Sequence, residues 1–154
     1  MLIFLDIDGV MVPASAWKKP ELLNDGFPAF SSKATATLQI IISEDLTIVL
    51  TTSHKKNYSL DQWKQIFKTR SINVNKIETL EVNSENLSRK EELIRWFARK
   101  SLHESFVIID DDKSLNDLPG YLKSHLVLTN PMVGLTPDHV AEVNSIKQKS
   151  YEFE

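Results

Sequence analysis

A three-layer α/β/α fold with a mostly parallel sheet is what this sequence predicts, on two observations. Short apolar runs alternate with segments of helical periodicity along the chain. That alternation requires crossover helices packed on both faces of a parallel sheet. Several of the apolar runs also end in acids or hydroxyls, and binding groups in such sheets gather outside the carboxyl ends of the strands.

The strand candidates are Leu2–Leu5, Leu46–Leu50, Ile77–Leu80, Phe106–Ile109 and Leu126–Leu128. Each is a short apolar run bounded by polar or turn residues, the signature of a buried strand. Between them, Ala34, Leu38, Ile41 and Ile42 fall at helical spacing within Ser31–Ser43. Leu60, Trp63, Ile66 and Phe67 form one stripe over Leu60–Lys68. Ser88–Lys100 opens with Ser88 and Glu91 at capping-box spacing and carries Leu93, Ile94, Trp96 and Phe97. Thr136-Pro137 predicts the start of a last helix, with Pro at its first position, running to about Lys147.

The 154 residues suit a single domain over 1–154, and no repeat, low-complexity tract or linker divides them. With no cysteine, disulfides, zinc–thiolate sites and thiol nucleophiles are excluded. A net charge of -3 gives no global field towards nucleic acid or anionic lipid, which leaves only a local basic patch for such partners. No apolar run approaches the eighteen or so residues of a spanning helix, and the start of the chain lacks a signal peptide's basic and apolar regions. The expectation is a cytoplasmic protein without a membrane partner.

The first strand raises the chemical question. It ends Leu5-Asp6-Ile7-Asp8-Gly9, and two acids at the edge of a buried strand repel one another unless a proton or cation shares the site. Either they face water in a plain turn or they hold a metal. An aspartate in a metal site can attack phosphorus and form an aspartyl-phosphate. Asp6 and Asp8 fit a nucleophile and a group that protonates the leaving oxygen, with Gly9 turning the chain away. The cluster Asp110-Asp111-Asp112 would complete an all-oxygen site, which favours magnesium. Thr51 or Thr52 offers a hydroxyl, and Arg89 or Lys90 a cation, to the remaining phosphoryl oxygens. Each feature alone has a plainer explanation: a solvated turn, a helix cap, β-propensity, a helix start. Their conjunction, in order and on one predicted edge, carries the chemical reading.

Asp6-Ile7-Asp8-Gly9-Val10 resembles the first motif of the haloacid dehalogenase (HAD) superfamily of phosphohydrolases. The other three motifs follow in order: Thr51-Thr52 after an apolar strand, Arg89 or Lys90 ahead of a helix, and Asp110-Asp111 after another apolar strand. A narrower likeness takes in Ser88 to Phe97, Leu126 to Asn130 and Gly134-Leu135-Thr136. It is to the small HAD domains of Swiss Army Knife RNA repair proteins, which are themselves similar to the phosphatase half of polynucleotide kinase-phosphatases. That subfamily tends to place Trp-Arg after motif two, where this chain has His54-Lys55.

The resemblance implies a Rossmannoid fold with little or no cap and a magnesium-dependent phosphatase. Asp6 would be the nucleophile and Asp8 the general acid/base. Magnesium would be held by Asp6, the Asp8 carbonyl and an acid of the pair Asp110 and Asp111. Thr52 is favoured over Thr51 as the phosphate ligand, and Arg89 and Lys90 both remain in play. Gly9 and His54 would face the substrate, a phosphorylated small molecule, a nucleotide or a nucleic-acid end. The segment from Val12 to Phe30 looks like the flap that relatives carry after motif one. Trp17-Lys18-Lys19 and His54-Lys55-Lys56 would form a basic, aromatic rim for a strand end. The rivals are a phosphotransferase of the same superfamily and a non-catalytic phosphate- or protein-binding module on the same scaffold. His103, His125 and His139 read as surface or packing residues, and Trp63, Trp96 and Phe97 as core.

Overall fold

The computed structural model describes residues 1–14, 19–43, 45–81, 83–100 and 104–152. The strands are β1 (Leu2–Leu5), β2 (Thr47–Leu50), β3 (Lys76–Thr79), β4 (Phe106–Asp110) and β5 (Leu126–Leu128). The helices are α1 (Ser32–Ile41), α2 (Leu60–Thr69), α3 (Arg89–Arg99), α4 (Gly120–Lys123) and α5 (His139–Glu152). All five strands pair in parallel in the order β3-β2-β1-β4-β5. The chain therefore builds outward from β1 to β3, then returns to the other side of β1. The reversal between β1 and β4 is the topological switch point at which open α/β sheets bind their ligands.

The period-two alternation of side chains sorts the core into two layers. Ile3, Leu5, Ile48, Leu50, Val107 and Ile109 face one side, against Leu38 and Ile41 of α1, Trp63 and Phe67 of α2, and Val143 and Ile146 of α5. Leu2, Phe4, Val49 and Ile108 face the other, against Leu93 of α3 and Leu122 of α4. Trp96 and Phe97 lie partly buried against that second layer, edge-on and tilted to Phe4, so they pack as expected. His125 stacks on Phe106 at 3.9 Å.

Three local features depart from the sequence reading. The last helix begins at His139 and not at Pro137, because the His139 side chain turns back and its Nδ1 accepts from the Thr136 N–H at 3.0 Å. Short 3-10 turns at Lys55–Asn57 and Lys113–Asp117, and the single turn α4, have no apolar periodicity to announce them. At the start of α3 the Ser88 hydroxyl accepts from the Glu91 N–H and donates to Glu91 Oε1 at 3.1 Å, so the Glu91 carboxylate meets the hydroxyl and the expected capping box is half built.

The segment after motif one is stapled down along its second half. Arg70, buried at the end of α2, binds both Asp25 oxygens and the carbonyls of Phe27 and Pro28. Phe27 is thereby held in an aromatic cluster with Tyr58, Trp63 and His54. Trp17 and Lys18, two members of the expected rim, lie outside the described residues, as does His103. Among the described residues no helix is long and apolar enough to cross a membrane.

Candidate active site

Continuation of two parallel ladders by one residue, beside the end of β4, assembles the centre. The Asp6 N–H donates to the Ile109 carbonyl at 3.1 Å and the Thr51 N–H to the Leu5 carbonyl at 3.0 Å. Asp110 is the last residue of β4. Asp6, Thr51 and Asp110 thus stand side by side at the carboxyl edge. By alternation they share the face of Leu2, Phe4, Val49 and Ile108, the face that α3 covers. Arg89, the first residue of α3, enters there. Its Nη1 lies 2.5 Å from Asp110 Oδ2, 3.3 Å from Thr51 Oγ1 and 3.5 Å from Asp6 Oδ1.

The alternatives that motif two and motif three left open lie in different surroundings. Thr51 faces the carboxylates and Arg89. Thr52, favoured on sequence, takes the opposite parity, and its hydroxyl accepts from the His54 N–H within its own turn at 3.3 Å. The Lys90 side chain makes no hydrogen bond or ion pair with a described residue.

Asp6, Asp110 and Asp111 present oxygens within 4.8 Å of one another. Asp111 reaches the cluster because residue 9 is glycine. A Cβ on Gly9 would fall 2.1 Å from Asp111 Oδ2, and its φ of +81° is a left-handed conformation that suits glycine. Gly9 is also tied from behind, its carbonyl accepting from the buried Thr129 hydroxyl at 2.7 Å. So the residue expected to meet substrate makes room for a carboxylate. Asp112, the third acid of the run, caps the turn that follows: its Oδ1 accepts from the Ser114 N–H and hydroxyl.

Asp8 stands apart. Its side chain is 60% exposed, and its Oδ2 lies 2.8 Å from His54 Nε2. The His54 ring is set edge-on to Phe27. His54, expected to face substrate, is therefore engaged with the second acid of motif one.

Lys55 differs most from the sequence reading. It was expected on a basic rim beside His54 and Lys56, yet it is buried and its Nζ lies 3.0 Å from Glu92 Oε2. Lys56 and Lys19 are exposed. Glu92 is not marked by any of the four motifs. The available signal was its position three residues after Arg89, which puts both on one face of α3.

The electrostatics follow from burial. Desolvation first, then the Asp110 carboxylate, push the Asp6 pKa up from 3.8 to about 8; Arg89 opposes this and a hydrogen bond with Asp111 adds to it. Burial likewise raises Asp110, against the pull of Arg89. Burial works against the charge on Arg89, but Asp110 and Asp6 outweigh it and hold the guanidinium above its usual range.

A family model described as the HAD domain in Swiss Army Knife RNA repair proteins matches residues 2–140. The chain belongs to this family. The matched region of this HAD domain takes in all four motifs and the strand that follows them. Comparison with curated proteins returns no match, and comparison with solved structures returns none either. Membership makes a HAD-type phosphohydrolase the class of activity the family suggests. The buried acids are an all-oxygen donor set of the kind divalent cations use.

The raised Asp6 pKa has a consequence for the metal-free protein. A carboxyl whose folded pKa lies above its unfolded value of 3.8 stabilises the fold fully below that value, and the contribution is lost as pH rises through the folded pKa. The melting temperature without divalent cation should fall between about pH 5 and pH 8.5, and Asp6→Asn should flatten that fall. Thermal scans across pH on both proteins check this; an unaltered slope in the variant would contradict the assignment.

Proposed function

We propose that this HAD domain is a magnesium-dependent phosphatase that hydrolyses a phosphomonoester through an aspartyl-phosphate on Asp6. One observation carries the reading. Three carboxylates converge within 4.8 Å at a buried strand edge, where burial and the neighbouring Asp110 push the Asp6 pKa upward. A packing role does not require such a cluster, because apolar side chains of similar volume would fill the space without the desolvation penalty. Asp6 and an acid of the pair Asp110 and Asp111, with the Asp8 carbonyl, would hold magnesium. Bound there, the cation would let Asp6 ionise and would screen it from the incoming phosphate.

The remaining steps belong to the chain's own groups. An Asp6 oxygen attacks phosphorus, and the bond to the ester oxygen breaks. Asp8, held at 2.8 Å by His54, gives its proton to the leaving oxygen. A water then enters; Asp8 takes its proton as the water oxygen attacks phosphorus, releasing inorganic phosphate and restoring the Asp6 carboxylate. Arg89 and the Thr51 hydroxyl neutralise and orient the phosphoryl oxygens as charge develops on them.

The substrate class we favour is a phosphorylated RNA end or a nucleotide. The family's printed description supports it, and so does the exposure of Asp8, which leaves the leaving-group side open to solvent. Lys19 and Lys56 remain as exposed cations for a strand, whereas Lys55 is withdrawn from that role.

Asp6→Asn should abolish phosphate release from a 3′-phosphorylated oligoribonucleotide and from nitrophenyl phosphate while leaving the fold intact, because an amide neither attacks phosphorus usefully nor binds magnesium well. Wild-type-like turnover by the purified variant would remove the reading. Asp8→Asn should lose about 10²–10⁴-fold on an alkyl phosphate, where the leaving oxygen needs a proton, and much less on nitrophenyl phosphate. Equal losses on both substrates would give Asp8 a different role.

A further inference from the structure

We propose that Glu92, anchored by Lys55, is a positioning residue for the Arg89 guanidinium. The inference rests on the phosphatase reading for its substrate, but it comes from a part of the molecule that reading does not use. A lysine and a glutamate are paired in the interior, with only 6% of the Lys55 side chain and 10% of the Glu92 side chain exposed. Such a pair contributes little stability relative to apolar residues of the same volume. Its position supplies another use.

The two oxygens of Glu92 face in different directions. Oε2 takes the Lys55 ammonium at 3.0 Å, and Oε1 lies 3.9 Å from Arg89 Nε. Arg89 Nε is a buried donor without a hydrogen-bond partner, and the Glu92 carboxylate stands 3.9 Å from it. Arg89 Nη1 is already committed to Asp110, Thr51 and Asp6. The planar guanidinium is thus held by Nη1 on one side and faces the Glu92 charge with Nε on the other, which favours one orientation of its fork. Its Nη2, which has no bond to any described residue, is then the edge presented to a phosphoryl oxygen. Lys55 is itself fixed at the backbone. Its N–H donates to the Thr52 carbonyl at 3.1 Å and its carbonyl accepts from the buried Trp63 indole at 3.2 Å. The chain of contacts thus runs from the turn of motif two, through Lys55 and Glu92, to the cation of motif three.

A comparison of variants in two backgrounds tests this. Arg89→Lys keeps a cation but has no Nε–H for Glu92 to orient. Glu92→Gln removes the orienting charge; because it strands Lys55 in the interior, Lys55→Met/Glu92→Gln is made alongside as a variant without a buried unpaired charge. Turnover of nitrophenyl phosphate and affinity for inorganic phosphate in saturating magnesium are both measured. With Arg89 present, either Glu92 variant should lower kcat and phosphate affinity by about tenfold; in the Arg89→Lys background the same changes should cost less than about twofold. Melting temperatures should shift equally in both backgrounds, as a packing effect would. Equal functional losses in the two backgrounds, or no loss with Arg89 present, would overturn the inference. A wild-type protein that binds phosphate but turns over no phosphomonoester would defeat the phosphatase reading alone, and the affinity measurements would still decide the role of Glu92. Failure to bind phosphate would overturn both.

Discussion

Like charge gathered at a buried sheet edge is the constraint around which this molecule is organised. Asp6, Asp110 and Asp111 converge within 4.8 Å of one another, and Glu92 lies just beyond, on the other side of Arg89. Against these four carboxylates stand two cations, Arg89 and Lys55. The shortfall of two charges matches one divalent cation. In the metal-free protein part of it is met by a proton on Asp6, whose pKa reaches about 8 by burial and by the neighbouring Asp110. A proton or a divalent cation would each relieve the same repulsion, and on the proposed reading both would act on Asp6.

The sheet makes the gathering possible with little local sequence. Parallel strands in register bring Asp6, Thr51 and Asp110 to one level, and alternation turns all three towards α3. Only then does the first turn of α3 matter: Arg89 enters the cluster, while the Lys90 side chain makes no contact with its acids. Gly9 and Asp111 show the same dependence at shorter range. The missing Cβ of Gly9 is the space that Asp111 occupies, so the glycine of the first motif and the second acid of the fourth are one feature.

What could be read from sequence follows from how local each signal is. The five strands and the four longer helices were legible because apolar runs and amphipathic stripes are encoded within each element. The acids at the strand ends were legible because a buried strand has no reason to finish in them. Thr51 and Thr52 were not separable, since the choice depends on which face of β2 meets α3, and parity has no sign until the partner helix is known. Lys55 looks like a surface cation in the sequence because its burial is set by Glu92 and Trp63, both on other elements. Pro137 was assigned to the last helix by its propensity; a backbone bond to the His139 side chain overrides it.

Proton release on metal binding tests the electrostatic account most directly. Calorimetric titration of the protein with magnesium near pH 7, in buffers of differing ionisation enthalpy, counts the protons displaced. If the cation replaces the proton on Asp6, binding should release about one proton in the wild-type protein and none in Asp6→Asn. Magnesium binding without proton release, or no binding at all, would contradict the view that a shared proton and a divalent cation compete for the same buried carboxylates.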